Sequence, residues 1–175
     1  MKKQIEQLKQ AIRDVPDFPK EGILFKDITP VLQDAQLFAT AIGLFARQVE
    51  NLDFDLIAAI ESRGFIFGAA LALKLNKGFV PIRKPGKLPY KTFKEEYQLE
   101  YGTDALEIHQ DAVTPGQKVL LIDDLLATGG TALASAKLVE RCGGKVAAIC
   151  FLIELTFLNG IQKLGNYQVK TLIKF

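Results

Sequence analysis

Asp123 and Asp124 stand together at the end of the apolar run Val119-Leu120-Leu121-Ile122, and Leu125-Leu126-Ala127-Thr128-Gly129-Gly130-Thr131 follows at once. Four apolar residues of this kind read as a buried parallel strand, and the amphipathic stretch after Thr131 reads as a helix. In open α/β sheets ligands bind beyond the carboxyl ends of the strands. A glycine-bearing turn that opens a helix aims backbone N–H groups outward, and the helix dipole favours an anion there. Two adjacent carboxylates repel phosphate but accept hydrogen bonds from hydroxyls. A phosphate for the turn and a diol for the acids together describe a 5-phosphorylated ribose. A capped strand end would explain one aspartate, but explains less well the pair followed by Ala-Thr-Gly-Gly-Thr. The nucleotide-binding patterns Gly-x-x-x-x-Gly-Lys-Ser/Thr and Gly-x-Gly-x-x-Gly are absent from the sequence. No lysine follows the glycines to hold a second phosphate. The turn therefore reads as a site for one monophosphate, bound by backbone N–H groups and the hydroxyls of Thr128 and Thr131.

A second stretch repeats the pattern. Ile60-Glu61-Ser62-Arg63-Gly64 is a strand end, a polar turn and a helix start, so Ser62 and Arg63 are placed to hold another anion. Arg83-Lys84-Pro85-Gly86-Lys87 adds three cations after a further strand. Taken alone, the first is a capped helix with a surface arginine and the second a solvated basic turn. Beside a phosphate site they read as a second anion subsite. The single histidine, His109, falls in a polar stretch and reads as exposed and without a role.

The elements that must position these residues follow from periodicity. Ile5, Leu8 and Ile12 predict an N-terminal helix over 2–13. Residues 14–30, with three prolines and one glycine, read as irregular with a short strand at 23–25. Asp34 is placed to cap a helix to about Asn51, with Leu37, Phe38, Ala41, Leu44, Phe45 and Val49 inward. Strands are expected at 56–60, 78–82, 118–122, 146–153 and 169–173, and helices at 64–75 and 131–142. Residues 83–96 read as an exposed loop and 97–109 as a β-hairpin about Gly102. Alternating strands and helices predict an α/β fold with a mostly parallel sheet. At 175 residues, 49% hydrophobic and 24% charged, the chain suits one domain with one core. A net charge of +2 argues against a nucleic-acid or anionic-membrane partner. Cys142 and Cys150 lie in apolar segments and read as buried reduced thiols. Without a leader pattern or a run long enough to span a bilayer, a cytoplasmic protein is expected.

The Asp-Asp-Leu-Leu-Ala-Thr-Gly-Gly-Thr stretch resembles the 5-phosphoribosyl 1-pyrophosphate (PRPP) motif of the type I phosphoribosyltransferases, in the form carried by their adenine-using members. The resemblance runs from Asp14 to about Lys163. It implies a mostly parallel twisted sheet flanked by helices, a small N-terminal hood over about residues 1–33 and a flexible β-hairpin lid, all in one domain, 1–175. It implies that Asp123 and Asp124 bind the ribose hydroxyls and that Ala127, Thr128, Gly129, Gly130 and Thr131 cradle the 5-phosphate. Ser62, Arg63, Arg83, Lys84 and Lys87 would hold the pyrophosphate, with a non-proline cis peptide in the Ser62 loop and a mobile segment through Gln98. Leu24, Phe25, Lys26 and Leu158 would form the adenine site, although Lys26 stands where the family more often has arginine. From the local sequence Glu100 reads as an outward hairpin carboxylate; the resemblance makes it the catalytic residue and Tyr101 a residue that helps close the site. Mg²⁺ held mainly through PRPP and water, and a homodimer, are likewise implied. The expected reaction is transfer of the phosphoribosyl group from PRPP to adenine, giving AMP and pyrophosphate in purine salvage. The rival readings are an enzyme for hypoxanthine, guanine or xanthine, and a PRPP-sensing regulator without catalysis. A regulator needs a DNA-binding module or basic face, for which this chain has neither spare length nor charge. A nucleotide-sugar-binding protein of unrelated activity would not explain the combined motifs.

Overall fold

The computed structural model describes residues 1–98 and 102–175. It comprises two compact units, Met1–Arg47 and Gln48–Phe175.

The first unit contains α1 (Lys2–Ala11), β1 (Arg13–Pro16), β2 (Leu24–Asp27), α2 (Thr29–Gln33) and most of α3 (Ala35–Val49). The first helix is shorter than the apolar spacing suggests. Ile12 is already extended, at φ −71° and ψ 125°, because Arg13 enters an antiparallel ladder with Asp27. That ladder, Arg13↔Asp27 to Pro16↔Leu24, contains the short strand expected at 23–25, here Leu24–Asp27, and adds a partner strand that was not expected. Asp34 Oδ1 accepts the N–H groups of Gln36 at 2.8 Å and Leu37 at 2.9 Å, which is the helix cap expected of it. Ala41, Leu44, Phe45 and Val49 are buried along α3. The short helix α2 before Asp34 was not anticipated.

The second unit is built on β3 (Leu56–Ile60), α4 (Arg63–Leu75), β4 (Gly78–Ile82), β5 (Thr92–Gln98), β6 (Thr103–His109), β7 (Lys118–Leu126), α5 (Gly130–Arg141), β8 (Lys145–Glu154) and β9 (Val169–Lys174). Two 3₁₀ turns, Thr156–Leu158 and Gly160–Leu164, link β8 to β9. The sheet order is β4-β3-β7-β8-β9, with every neighbouring pair parallel. On one face Ala58, Ile60 and Leu121 join Leu138 and Val139 of α5 and Leu106 of the hairpin in one apolar core. Against the other face α4 lies close: a Cβ on Gly68 would meet the Ala59 Cβ at 2.5 Å and the Ile122 Cγ2 at 2.9 Å. The chain winds outward from β3 to β4 in one direction and from β7 through β8 to β9 in the other. The switch point thus lies between β3 and β7, where this architecture opens a crevice for ligands.

Three differences from the sequence reading bear on that crevice. First, β7 runs through Leu126 instead of ending at Ile122. The β3 ladder stops at Ala59↔Ile122, but β8 goes on pairing through Asp123↔Phe151 and Leu126↔Glu154. Asp123 and Asp124 are therefore on a strand overhang held from one side. Second, the hairpin starts earlier than expected: residues 92–96, read as part of an exposed loop, belong to the strand β5, Thr92–Gln98. It pairs with β6 from Thr92↔His109 to Gln98↔Thr103, and Phe93 and Tyr97 pack against the core. Third, His109 is half-buried at the end of β6, its Nε2 accepting the Tyr90 N–H at 3.4 Å, and is not the exposed residue expected. Cys142 and Cys150 are free and buried. Burial pushes the Cys150 thiol up to about 12. No described helix is long and apolar enough to cross a membrane.

Candidate active site

The turn read from sequence as a phosphate site is the link from β7 to α5. Gly129, at φ 79°, supplies the left-handed backbone that turns the chain into α5, whose first turn has no side-chain cap. A cavity of about 60 Å³ is lined by Asp123, Ala127, Thr128, Gly129, Thr131 and Phe151, among others. Of the residues read from sequence as phosphate and ribose ligands, Asp123, Ala127, Thr128, Gly129 and Thr131 border this space, and Asp124 and Gly130 do not. The turn is braced from outside by Gly160: a Cβ there would lie 2.0 Å from the Ala127 carbonyl oxygen.

The acid pair is locked by its neighbours. Asp123 Oδ1 accepts the N–H of Asp124 at 2.9 Å. Asp124, 5% exposed, pairs through Oδ2 with the Arg63 Nε at 2.9 Å. Burial first, and then the charge of Asp124, push the Asp123 carboxyl well above the usual carboxylate range. Burial raises Asp124 too, and the Arg63 guanidinium opposes it. Hydroxyls donated by a bound diol would favour the charged forms. The Ser62 turn lies directly on this pair. A Cβ on Gly64 would meet Asp123 Oδ1 at 2.8 Å and the Ile122 carbonyl at 3.0 Å. The Glu61–Ser62 peptide is cis, as the family resemblance implies.

The cationic loop is organised by a residue that sequence reasoning passed over. The Glu61 carboxylate accepts Arg83 Nε at 3.1 Å, the Lys84 N–H at 3.0 Å and Lys87 Nζ at 2.6 Å. Burial would raise its pKa, but these bonds hold it below the usual glutamate value. Arg83 is also fixed through its backbone, which exchanges hydrogen bonds with Glu107 at 2.9 and 2.7 Å. Lys84 reaches elsewhere. Its ammonium donates to Asp104 Oδ2 on β6 and lies 2.9 Å from the Tyr97 hydroxyl on β5. Glu61 sits inside the quoted Glu-Ser-Arg-Gly motif and was legible only as part of a polar turn. Asp104 is 20 residues from the lysine it holds, so no local pattern marked it.

In the first unit Phe25 meets Phe18 edge-on, with ring centroids 5.1 Å apart. Val15, Phe18, Phe25 and Asp27 line an open cavity of about 260 Å³. Leu24 is exposed, and Lys26 Nζ contacts Asp14 Oδ1 at 2.5 Å, its cross-strand neighbour. In the second unit Leu158 is half-buried in its 3₁₀ turn beside Phe157, which is 68% exposed. Glu100 and Tyr101 lie outside the described residues.

Residues 30–164 match the phosphoribosyl transferase domain. The adenine phosphoribosyltransferase of Thermoanaerobacter sp. (strain X514) is 63% identical over 171 residues, covering 98% of this chain and 99% of the relative. The crystal structure of the Thermoanaerobacter pseudethanolicus adenine phosphoribosyltransferase superposes with a TM-score of 0.96 at 62% identity, covering 98% and 99% of the two chains. That of Saccharomyces cerevisiae, complexed with an imino-altritol bisphosphate and adenine, gives 0.93 at 43% identity, again over 98% and 99%. The match spans nearly the whole chain, and on it this chain belongs to the adenine phosphoribosyltransferase family.

Proposed function

We infer that this chain transfers the 5-phosphoribosyl group of PRPP to adenine, making AMP and pyrophosphate in purine salvage. The observation that carries the reading is the β7 overhang: it sets Asp123 and the turn that opens α5 around one cavity, with Asp124 beside it paired to Arg63. Asp123 and Asp124 accept the ribose hydroxyls, and Ala127, Thr128, Gly129, Gly130 and Thr131 donate to the 5-phosphate. Ser62, Arg63, Arg83, Lys84 and Lys87 receive the pyrophosphate. Leu24, Phe25, Lys26 and Leu158 contact adenine. One aromatic contact is worth about 1–3 kcal/mol and does not tell one purine from another, so selectivity comes from hydrogen bonds to the base edge.

In the reaction a purine nitrogen forms a bond to the anomeric carbon as the bond to the pyrophosphate oxygen breaks. Positive charge grows on the ribose and negative charge on the leaving group. The chain holds the ribose by its diol and 5-phosphate, and the cations of the second subsite oppose the leaving charge. Glu100 manages the proton at the base ring or opposes the ribose cation, and the hairpin with Tyr101 keeps water out. Among the described residues no three His, Cys, Asp or Glu side chains form a metal site. Hard Mg²⁺ keeps several waters, so it would be held mainly by PRPP oxygens and water. When bound, Mg²⁺ neutralises charge on the leaving pyrophosphate. The chain works as one phosphoribosyltransferase domain with residues of about 1–33 as its hood, as a cytoplasmic homodimer. Ile66 and Leu73, exposed on α4, give a dimer apolar surface to cover. Sedimentation showing only monomer at working concentration would remove the dimer.

The direct test is AMP formation from PRPP, Mg²⁺ and adenine, with hypoxanthine, guanine and xanthine in parallel. Product with adenine alone is expected. Product with a keto purine instead would overturn the base assignment and keep the phosphoribosyl chemistry. Binding of PRPP without product from any base would overturn catalysis and favour a sensor.

A further inference from the structure

The three loop cations are each held by a carboxylate of the chain, but in two different ways. Arg83 and Lys87 share Glu61, whose side chain is only 10% exposed. Lys84 alone turns to the hairpin, where it bridges a cross-strand pair, Tyr97↔Asp104. Asp104 is well fixed to receive it. Its Oδ1 accepts the Ala105 N–H at 2.7 Å, and the Tyr97 hydroxyl donates to Oδ2 at 3.2 Å. Yet the pair is open to water, with Lys84 35% and Asp104 31% exposed. A buried carboxylate gripped by two cations and a backbone N–H is retained. A partly exposed one-to-one pair is exchangeable, since such pairs contribute little net stability.

We propose that Asp104 is an intramolecular competitor of the pyrophosphate group: it holds Lys84 through the contact seen here, yields it to an arriving diphosphate, and so sets the affinity for PRPP and pyrophosphate. This rests on the reading of Lys84 as a pyrophosphate ligand. A diphosphate offers more charge and more acceptor oxygens than one carboxylate, so it wins the exchange. Giving up Lys84 unties the hairpin from the loop at the Tyr97–Asp104 rung alone. The Arg83–Glu107 backbone bridge stays in place. Asp104 thus acts on affinity without touching the substrate.

The test is Asp104→Asn, with Asp104→Ser as a second neutral variant, titrated by calorimetry with Mg²⁺–PRPP, Mg²⁺–pyrophosphate and ribose 5-phosphate. Removing the competitor should lower Kd for PRPP and pyrophosphate by about two- to fivefold. Ribose 5-phosphate, which lacks the diphosphate, should bind unchanged. Unchanged PRPP and pyrophosphate affinities would overturn the proposal. Weaker binding would also overturn it, because Asp104 would then be orienting Lys84 for the ligand. An equal shift with ribose 5-phosphate would reveal a general structural effect and overturn it as well. Lys84→Met separates the underlying reading. It should weaken PRPP and pyrophosphate but not ribose 5-phosphate, and in its background Asp104→Asn should change nothing. Unaltered pyrophosphate binding in Lys84→Met would remove Lys84 from the pyrophosphate subsite, and the proposal with it.

Discussion

Gly160→Ala tests whether the phosphate turn depends on a brace that contributes no functional group. Gly160 does not need its glycine for a left-handed backbone; it needs it for room. An added Cβ would lie 2.0 Å from the Ala127 carbonyl oxygen and 2.9 Å from the Ala127 carbon and the Gly129 nitrogen. All three are backbone atoms of the phosphate turn, so no side chain can rotate away. The contact to the oxygen falls short of ordinary van der Waals separation by roughly 1.5 Å, and the turn or the 3₁₀ segment must move by about that much. Overpacking of this kind costs about 1–3 kcal/mol, and at this size each 1 kcal/mol lowers Tm by about 2–4 °C. Function should suffer more, because a misplacement of about 1 Å in a positioning group can cost about 10²-fold. Calorimetric titration should therefore show ribose 5-phosphate and PRPP bound about 10–100-fold more weakly. Pyrophosphate, whose proposed ligands lie on other loops, should bind as before. A variant with native circular dichroism and a ribose 5-phosphate Kd within about twofold of the parent would refute the brace, since that is under 0.5 kcal/mol.

Asp124→Asn should weaken PRPP binding at least about tenfold, because it turns one acceptor oxygen into a donor and removes the charge that faces Arg63; an unchanged PRPP Kd would count against the ribose assignment. Glu100→Gln should lower turnover more than it weakens substrate binding, and full activity would demote Glu100 to a bystander. Glu61 titrates below its ordinary value of 4.5 in the folded chain, so its stabilisation is present above that value and is lost as pH falls through the lowered pKa. Glu61→Gln should then flatten the loss of stability in acid, read from urea midpoints at neutral pH and at about pH 3.5; parallel curves for the two proteins would exclude this role.

The sheet was legible because its strands bury both faces. Leu56–Ile60 is buried at all five positions, and such a run has one reading between turn signals. The phosphate turn was legible because its chemistry is contiguous: acids, threonines and glycines lie within nine residues on one strand–turn–helix link. The hairpin was half legible. The lysines and glutamates around Phe93 and Tyr97 mask a period of two, and only the core they pack against reveals it. The N-terminal ladder was hidden for another reason. Its strands are four residues each, and one ends on Pro16, so pairing and not propensity decides that they form. Glu61 and Asp104 could not be assigned from sequence, since the cations they hold are 20 or more residues away. Gly160 carried no signal beyond being a glycine.

These long-range pairs also explain why charge counting gives so little warning of a site for a highly charged substrate. A subsite for diphosphate needs clustered cations, and the adjoining diol subsite needs clustered carboxylates. Either cluster alone would repel itself in a sheltered crevice. The fold interleaves them. Arg63 lies on Asp124, Glu61 lies between Arg83 and Lys87, and Asp104 lies on Lys84. The crevice is therefore close to neutral as a whole, and a net charge of +2 over the whole chain gives no sign of it. It follows that PRPP does not bind here as a polyanion on a basic patch. Its diphosphate must displace a carboxylate and its diol must satisfy one, so recognition depends on both ends of the molecule meeting the right partner at once. An anion without the diol, or a sugar without the anion, completes only half of that exchange.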